Sequence, residues 1–344
     1  VLTMGVQETI DDMDAEPGNV VVAGSLRRDE GGLERFLASL AEVFVRGVDV
    51  NWASLFKGSA AQQVKLPTYA FQRERYWLEA SMGAGDATSI GQSSADHPLL
   101  GAAVGLADDQ GWLFTGRLSL QTHPWLADHA VMDTVLLPGT AFVELATRAA
   151  GQVGCGRIEE LILEAPLLIP DKGGVQVQVS VESPDESGRW PISIYSRLEQ
   201  ASDDGLWEEE TWTRHATGVL TQGTTAESFD AQVWPPKGAD TIDIDGLYDG
   251  LAEKGFDYGP AFQGLKLAWR RGDEVFAEVC LDQAQEGDAG SFGLHPALLD
   301  AALHTMALSA EEDQGARLPF SWNGVSLYAT GASYLRVRLA PAGQ

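Results

Sequence analysis

The segment GTAFVELATRAAGQV (Gly139–Val153) decides the fold, because its apolar residues recur at helical spacing and cover nearly the whole helix surface. A helix of this kind is stable only when it is buried. The segment PALLDAALHTMALSA (Pro296–Ala310) has the same character. The sequence therefore predicts two buried helices, each preceded by a stretch that contains histidine.

Segments that alternate between apolar and polar residues surround both helices, as expected for half-buried antiparallel strands. They are Gly111–Leu120, Gly174–Ser183, Trp190–Leu198, Trp212–Leu220 and Glu274–Leu281. Strands wrapped on a buried helix, twice, predict an α+β double hot-dog fold, in which two antiparallel sheets each wrap a central helix. We expect the first hot dog at about 97–225 and the second at about 240–344. The number of strands alone also fits other α+β folds.

The composition limits the classes of partner. The chain has 344 residues, of which 44% are hydrophobic, and a net charge of −27. This charge argues against nucleic acid and membrane as partners, since both require basic patches. Two distant cysteines, Cys155 and Cys280, predict neither a disulfide framework nor a zinc ribbon. With no signal peptide or membrane-length apolar run, the sequence predicts a cytoplasmic protein.

Composition also predicts the domain organisation. Residues 1–79 contain a helical pattern in Gly31–Val48 and end in the aromatic, basic stretch LPTYAFQRERYWLE (Leu66–Glu79), which we expect to lie against a domain surface. Residues 80–96 are rich in Gly, Ser and Ala and are predicted to be a flexible linker. The β-rich domain follows at 97–344. The chain begins at Val1 rather than Met, which indicates a piece of a longer protein.

Four motifs in the β-rich region carry a family resemblance. They are HAVMDTVLLPG, which fits the pattern HxxxGxxxxP at His129 and Pro138; YGPAFQGL (Tyr258–Leu265); HPALLDAALH (His295–His304), which fits DxxxQ/H at Asp300 and His304; and LPFSWNGVSLYATGA (Leu318–Ala332). In this order they resemble the dehydratase domain of a modular type I polyketide synthase. Residues 1–79, an N-terminal linker segment, resemble the C-terminal tail of an acyltransferase domain and its post-acyltransferase linker.

The resemblance implies dehydration of a 3-hydroxyacyl thioester to the α,β-unsaturated (enoyl) thioester during polyketide chain extension. The substrate would arrive on the phosphopantetheine arm of an acyl carrier protein, so we expect no metal and no intrinsic cofactor. The implied partners are that carrier protein, neighbouring acyltransferase and ketoreductase domains, and a second copy in a homodimer. The catalytic core of an acyltransferase is not in the chain, so we predict no acyl transfer.

The chemistry requires a base, an acid and a donor to the thioester oxygen. His129 is the predicted base, because a neutral imidazole accepts a proton at working pH. Asp300 is the predicted acid, on condition that apolar surroundings raise the pKa of its carboxyl group. Pro138 and Gly139 open the first helix, and we assign the Gly139 N–H to the thioester carbonyl.

The resemblance further implies that Tyr258 hydrogen-bonds near the acid and that His304, one turn after Asp300, orients its carboxyl group. The remaining histidines are expected to lie outside the chemistry: His97, His123 and His295 each precede proline and are predicted to be structural, and His215 lies in a strand pattern. The spacing in HPALLDAALH is not a recognised zinc ligand set, so no metal site is predicted.

Two departures from the family pattern bear on activity. Asp133 stands where the first motif has glycine. Either it adopts a positive φ, which Asp tolerates, or its carboxylate approaches His129 and raises the imidazole pKa. The chain also stops at SYLRVRLAPAGQ, where we expect further strands of the second hot dog to be missing and a sheet edge to be left open.

Other functions fit the same sequence. A double-bond isomerase or a pyran-forming cyclase of this fold would use similar residues. An inactive structural domain that docks the carrier protein is a rival of a different class, supported by Asp133 and the short C-terminus. A hot-dog thioesterase, which would release free acid, is a weaker alternative.

Overall fold

A computed structural model of the chain describes residues 2–11, 20–62, 64, 87–199, 211–223, 231–309 and 319–341. The chain divides into two compact units, Val1–Trp77 and Leu78–Gln344. The aromatic stretch Leu66–Glu79 of the predicted linker lies outside the described residues.

The first unit contains two helices, α1 (Leu2–Asp11) and α2 (Leu33–Phe44), and a 3₁₀ turn at Trp52–Phe56. Helix α2 confirms the helical pattern in Gly31–Val48. The Phe44 and Trp52 rings meet edge to face at 5.5 Å, which ties the turn to the end of α2. The origin of this unit in an acyltransferase tail stays a prediction.

The second unit consists of fifteen strands and five helices among the described residues. The strands are β1 (Ser93–His97), β2 (Leu100–Gly105), β3 (Gly111–Leu118), β4 (His129–Val131), β5 (Thr134–Val135), β6 (Arg157–Leu163), β7 (Val175–Glu182), β8 (Trp190–Leu198), β9 (Thr213–Thr221), β10 (Asp240–Ile242), β11 (Phe256–Tyr258), β12 (Leu265–Arg271), β13 (Glu274–Cys280), β14 (Ser321–Val325) and β15 (Tyr334–Leu339). The helices are α3 (Gly139–Gln152), α4 (Leu247–Ala252), α5 (Gln283–Glu286), α6 (Pro296–Leu303) and α7 (Thr305–Ser309). All five strands predicted from alternation are present, within three residues at each end.

The first hot dog is an eight-stranded antiparallel sheet in the order β1-β2-β3-β7-β8-β9-β6-β14. Strand β7 shows why it forms: its four valines alternate with polar residues and are all buried. Helix α3 packs against this sheet through residues such as Ala141, Phe142, Leu145 and Ala149, and joins one apolar core with them. The predicted buried helix is confirmed.

The second hot dog is a four-stranded sheet in the order β10-β12-β13-β15, with α6 against it. The long helix predicted at Pro296–Ala310 is wrong in one respect, because it breaks at His304 into α6 and α7. At this break the Thr305 hydroxyl donates to the Ala302 carbonyl at 2.6 Å. The double hot-dog fold itself is confirmed.

Part of the segment predicted to be a flexible linker is ordered. Residues 93–96 belong to β1, which pairs antiparallel with β2, and Ala87–Ile90 forms a 3₁₀ turn. Small polar residues suggested a linker, but an edge strand requires only one buried face, and Ala95 supplies it.

The two hot dogs are not independent. Strand β14, from the second half of the sequence, pairs with β6 in the first sheet. A third sheet, in the order β11-β4-β5, pairs strands from both halves. Within the described residues, no helix is long and apolar enough to cross a membrane.

Candidate active site

The predicted base lies where a tight turn meets the third sheet. A 3₁₀ turn at Pro124–Asp128 directly precedes His129, the first residue of β4. The imidazole is buried, with 6% of its surface exposed, and its ring contacts those of Tyr258 (5.6 Å between centroids) and Phe262 (5.0 Å).

One hydrogen bond fixes the tautomer of His129. Its Nδ1 lies 3.0 Å from the carbonyl oxygen of Leu136. Because a carbonyl oxygen only accepts, Nδ1 must carry the proton, and in the neutral ring Nε2 then holds a free lone pair. The arrangement presents Nε2 as a proton acceptor.

The third sheet places Tyr258 directly beside His129. In the antiparallel pairing of β4 and β11, His129 is opposite Tyr258. Residues 129 positions apart in sequence therefore share one rung of the ladder, and directly opposed side chains lie within contact distance.

The predicted acid lies on α6. Asp300 is buried, and its Oδ2 is 3.1 Å from Nε2 of His304, one turn along the chain. The Nδ1 of His304 lies 3.3 Å from the hydroxyl of Tyr248, which accepts a bond from the Leu265 N–H at 3.1 Å. Tyr248 is a residue that sequence reasoning missed, since no motif contains it.

These contacts set the direction of the bonds around the acid. Burial raises the pKa of Tyr248 to about 12, so its hydroxyl keeps its proton and is able to donate to Nδ1 of His304. When Nδ1 accepts from Tyr248, the N–H of the His304 ring is on Nε2 and points to Oδ2 of Asp300. Oδ1 is left as the carboxyl oxygen that can carry a proton.

Tyr258 links the base to the acid. Its ring lies 4.3 Å from that of His304, in addition to its contact with His129. Burial raises the pKa of the Tyr258 hydroxyl well above its usual range. The structure thus joins His129, Tyr258, His304 and Asp300 in one connected set, buried or half-buried.

Gly139 and Pro138 lie at the start of α3, as predicted. Pro138 is the N-cap, and no side chain caps this end of the helix. The first N–H groups of a helix have no intrahelical acceptor, so they remain suited to a developing negative charge. Thr140 donates to the Pro296 carbonyl at 2.9 Å, which brings this helix start to the start of α6, the helix that carries Asp300.

Two carboxylates that sequence reasoning missed lie close to the motifs. Asp128, just before His129, accepts from the Ala261 N–H in the YGPAFQGL segment. Glu144, a buried carboxylate on helix α3, accepts from the backbone of Gly293 and Leu294. A charged residue in a helix predicted to be buried is the one signal that could have revealed Glu144.

The remaining histidines are buried in structural contacts. Nε2 of His97 lies 3.1 Å from Glu144, and Nε2 of His123 lies 2.9 Å from the Pro98 carbonyl. Nε2 of His215 lies 2.7 Å from the Ser196 hydroxyl.

His295 caps α6. Its Nδ1 accepts from the Ala297 N–H at 3.2 Å, and its ring packs against Trp125 at 4.9 Å and Phe292 at 4.6 Å. Burial lowers the pKa of His295 to about 4, so the ring is neutral at physiological pH.

The structure decides between the two readings of Asp133. Met132 and Asp133 have φ values of 49° and 61° and form the turn between β4 and β5. Two successive left-handed residues are typical of a type I′ turn, in which Asp is tolerated. The Asp133 side chain is exposed whereas His129 is buried, so the structure gives no support to a carboxylate pressed against the base.

Comparison with known proteins places this geometry in a family. A family model described as a polyketide synthase dehydratase domain matches residues 97–197, and one described as a polyketide synthase dehydratase N-terminal domain matches residues 226–343. A polyketide synthase of Streptomyces halstedii, GfsE, is 50% identical over 349 residues, which cover 100% of this chain and 9% of that protein. The chain spans between 4% and 20% of the length of the curated relatives it matches.

Solved structures agree in both sequence and shape. A dehydratase from work on the borrelidin and fluvirucin polyketide synthases is 52% identical, with a TM-score of 0.70 over 75% of this chain and 89% of that chain. A bifunctional dehydratase-cyclase domain of ambruticin biosynthesis is 42% identical, with a TM-score of 0.65 over 72% of this chain and 85% of that chain. The chain therefore belongs to the polyketide synthase dehydratase domain family.

Proposed function

We propose that this chain removes water from a 3-hydroxyacyl thioester carried on an acyl carrier protein, giving the α,β-unsaturated thioester. Dehydration is the general role of the family. The observation that carries the proposal for this chain is the 3.0 Å contact between Nδ1 of His129 and the Leu136 carbonyl, which leaves the lone pair of Nε2 to accept a proton. Tyr258 connects that base to the pair Asp300–His304.

The first half of the reaction is proton removal. Nε2 of His129 takes the proton from the carbon next to the thioester carbonyl, and negative charge develops on the carbonyl oxygen. In this proposal, the Gly139 N–H at the start of α3 donates to that oxygen. Pro138 supports this role because it presets the backbone at the helix start.

The second half of the reaction is loss of the hydroxyl group. Oδ1 of Asp300 gives its proton to the β-hydroxyl, the carbon–oxygen bond breaks and water leaves, while the α-carbon electrons form the double bond. His304 donates to Oδ2 and so keeps the acidic proton on Oδ1. Exchange with solvent then returns a proton to Asp300 and removes one from His129, which restores the site.

The scheme also suggests the partners. Base, acid and oxyanion donor are all supplied by the protein, so the substrate requires only its phosphopantetheine tether to an acyl carrier protein. The small share of each relative that the chain covers supports acyltransferase and ketoreductase domains as neighbours in one longer polypeptide. The homodimer stays a prediction.

A second candidate is a dehydratase that also closes a pyran ring. The dehydratase-cyclase that resembles this chain favours it, since the same fold there supports both reactions. Cyclisation would add a second hydroxyl of the substrate across the new double bond, and the mass of the product would then equal that of the enoyl thioester.

The test is mass spectrometry of a 3-hydroxyacyl thioester loaded on carrier protein. We expect the wild type to remove one water, and His129→Ala and Asp300→Asn each to lower the rate about 10³-fold, as expected for loss of a general base or acid. Asp257→Asn, at an exposed carboxylate beside Tyr258, is the matched control and is expected to stay active.

Each outcome has a defined meaning. If the folded wild-type protein leaves the mass of the 3-hydroxyacyl thioester unchanged, dehydration is rejected. A carrier-docking domain or a double-bond isomerase is then the better interpretation. If water is lost, chromatography with a substrate that bears a second hydroxyl separates a linear enoyl product from a cyclised one.

A further inference from the structure

We propose that Asp128 and Glu144, two carboxylates of the first half, are positioning residues that hold the two catalytic segments of the second half in register with His129. The inference rests on the proposed dehydration, because it concerns how the site of that reaction is assembled. The Asp128 carboxylate accepts one backbone N–H group of the second half, the Glu144 carboxylate accepts two, and each faces a glycine there.

Asp128 holds the segment that carries Tyr258. Its Oδ2 accepts from the Ala261 N–H at 2.9 Å, and its backbone carbonyl accepts from the Gly259 N–H at 2.8 Å. A Cβ added at Gly259 would lie 2.4 Å from Cγ of Asp128, so only glycine permits this approach. The contact with Asp128 thus explains why the first glycine of the YGPAFQGL motif, Gly259, is a glycine.

Glu144 holds the segment that leads into α6 and Asp300. Its Oε1 accepts from the Gly293 N–H at 2.6 Å, and its Oε2 accepts from the Leu294 N–H at 3.0 Å. Nδ1 of His97 accepts from the Leu99 N–H, so Nε2 of His97 carries the proton that it donates to Oε1. A Cβ added at Gly293 would lie 3.2 Å from Oε2 and 2.9 Å from the Leu327 side chain.

Both carboxylates lie near groups that act on the substrate. Asp128 directly precedes His129, so the same short segment fixes the base and the Tyr258 loop. Glu144 lies five residues after Gly139, so the same helix fixes the oxyanion donor and the approach to the acid. Displacement of a reacting group by 1 Å costs on the order of 10²-fold in rate, which is why such anchors matter to catalysis.

The two anchors differ in a way that separates them experimentally. Only one side-chain oxygen of Asp128 accepts a bond that the structure describes, so the amide oxygen of Asn can replace it. Both oxygens of Glu144 accept N–H groups, so the amide nitrogen of Gln would face a donor. We expect Asp128→Asn to lose much less activity than Asp128→Ala, and Glu144→Gln to lose about tenfold or more.

A double-mutant cycle tests whether Asp128 acts through Tyr258. We expect Asp128→Ala to lower kcat by about 10²-fold and Tyr258→Phe by about tenfold. The double variant should be no slower than Asp128→Ala, because the hydroxyl of a displaced Tyr258 ring no longer contributes to the rate. Losses that multiply in the double variant would overturn the positioning role.

Hydrogen exchange tests the same inference without catalysis. We expect Asp128→Ala to speed exchange of the Ala261 amide, which loses its acceptor, and to spare the Gly259 amide, whose acceptor is the backbone carbonyl. Glu144→Gln should speed exchange of the Gly293 and Leu294 amides, and each effect should stay local. Asp257→Ala removes an exposed carboxylate of the same region and should change none of these amides.

These results distinguish the two proposals. If the variants show local exchange effects but the wild type does not dehydrate, the positioning role stands and the proposed reaction is rejected. If the wild type dehydrates but exchange in the variants rises throughout the unit, or does not rise at all, the reaction stands and the positioning role is rejected.

Discussion

The base and the acid are held in opposite ways. His129 is fixed by a main-chain carbonyl, that of Leu136, within the β4–β5 hairpin. Asp300 is fixed by a series of side chains, His304 and Tyr248, that ends on the Leu265 N–H. The first arrangement survives any substitution that keeps the hairpin, whereas the second depends on the identity of each side chain.

This difference has a chemical reason. A base must present a fixed lone pair, and one carbonyl suffices to select the tautomer. A carboxylic acid must keep its proton on the oxygen that faces the substrate, so a donor is needed at the other oxygen, and that donor must itself be oriented. Substitutions of the side chains around Asp300 should therefore be costly, and substitutions around the hairpin mild.

Among the residues that support the base and the acid, the largest effect should come from His304. Replacement by Ala removes the donor to Oδ2 of Asp300, and we expect kcat to fall about 10²-fold because the carboxyl group is free to rotate. Gln has an amide N–H with which to reach a carboxyl group one turn away, so His304→Gln should recover most of the loss. Single-turnover rates of the two variants measure this, and equal losses would show that His304 does not act through that bond.

The next effect separates side-chain support from main-chain support. Tyr248→Phe leaves Nδ1 of His304 without its donor, and we expect kcat to fall about tenfold and stability by about 1–3 kcal/mol. Leu136→Ala shortens a half-buried side chain but keeps the carbonyl, so it should lower stability with little change in kcat. A larger loss of kcat in Leu136→Ala, measured beside chemical denaturation, would contradict the comparison.

A pH effect is expected from His295. Its folded-state pKa of about 4 lies below the ordinary value, so the unfolded chain binds the proton more tightly. Stability is then fully present above about pH 6.5 and is lost as the pH falls toward 4.

His295→Asn isolates that contribution, because Asn keeps the N-cap of α6 but does not titrate. We expect wild type to lose roughly 2 kcal/mol more stability than the variant between pH 7 and pH 5. Urea unfolding at both pH values measures the difference. His123 and His215, whose pKa values burial also lowers, remain in both proteins and cancel in the comparison.

The smallest effect should come from Asp133. Its φ of 61° suits glycine as well, and its side chain is exposed, so Asp133→Gly should change stability by less than roughly 1 kcal/mol. We expect the pH–rate profiles of the two proteins to superimpose. A shift in the limb assigned to His129 would show that the carboxylate reaches the base after all.

The sequence was sufficient for features that repeat locally. Helix α3 and strand β7 follow from periodicity, and the motifs single out His129 and Tyr258, although the paired strands that carry them were not predicted. The break at His304 was missed because the apolar spacing of Pro296–Ala310 continues through it.

Contacts between distant segments could not be predicted in this way. Asp128 meets Ala261 across 133 positions and Glu144 meets Gly293 across 149, and no periodic pattern links residues so far apart. Tyr248 lies outside every motif for the same reason. Their partners are backbone N–H groups, which have no signature in an amino-acid sequence.

The third sheet has a consequence for how the chain folds during synthesis. Strand β4, which carries His129, pairs with β11, which is synthesised 129 residues later. Strand β6 pairs with β14, which is separated from it by a still longer stretch of sequence. At ordinary rates of translation, the first half therefore exposes unpaired strand edges for on the order of ten seconds. A nascent first hot dog is a natural client for chaperones, and the catalytic site cannot be completed before the second half has been synthesised.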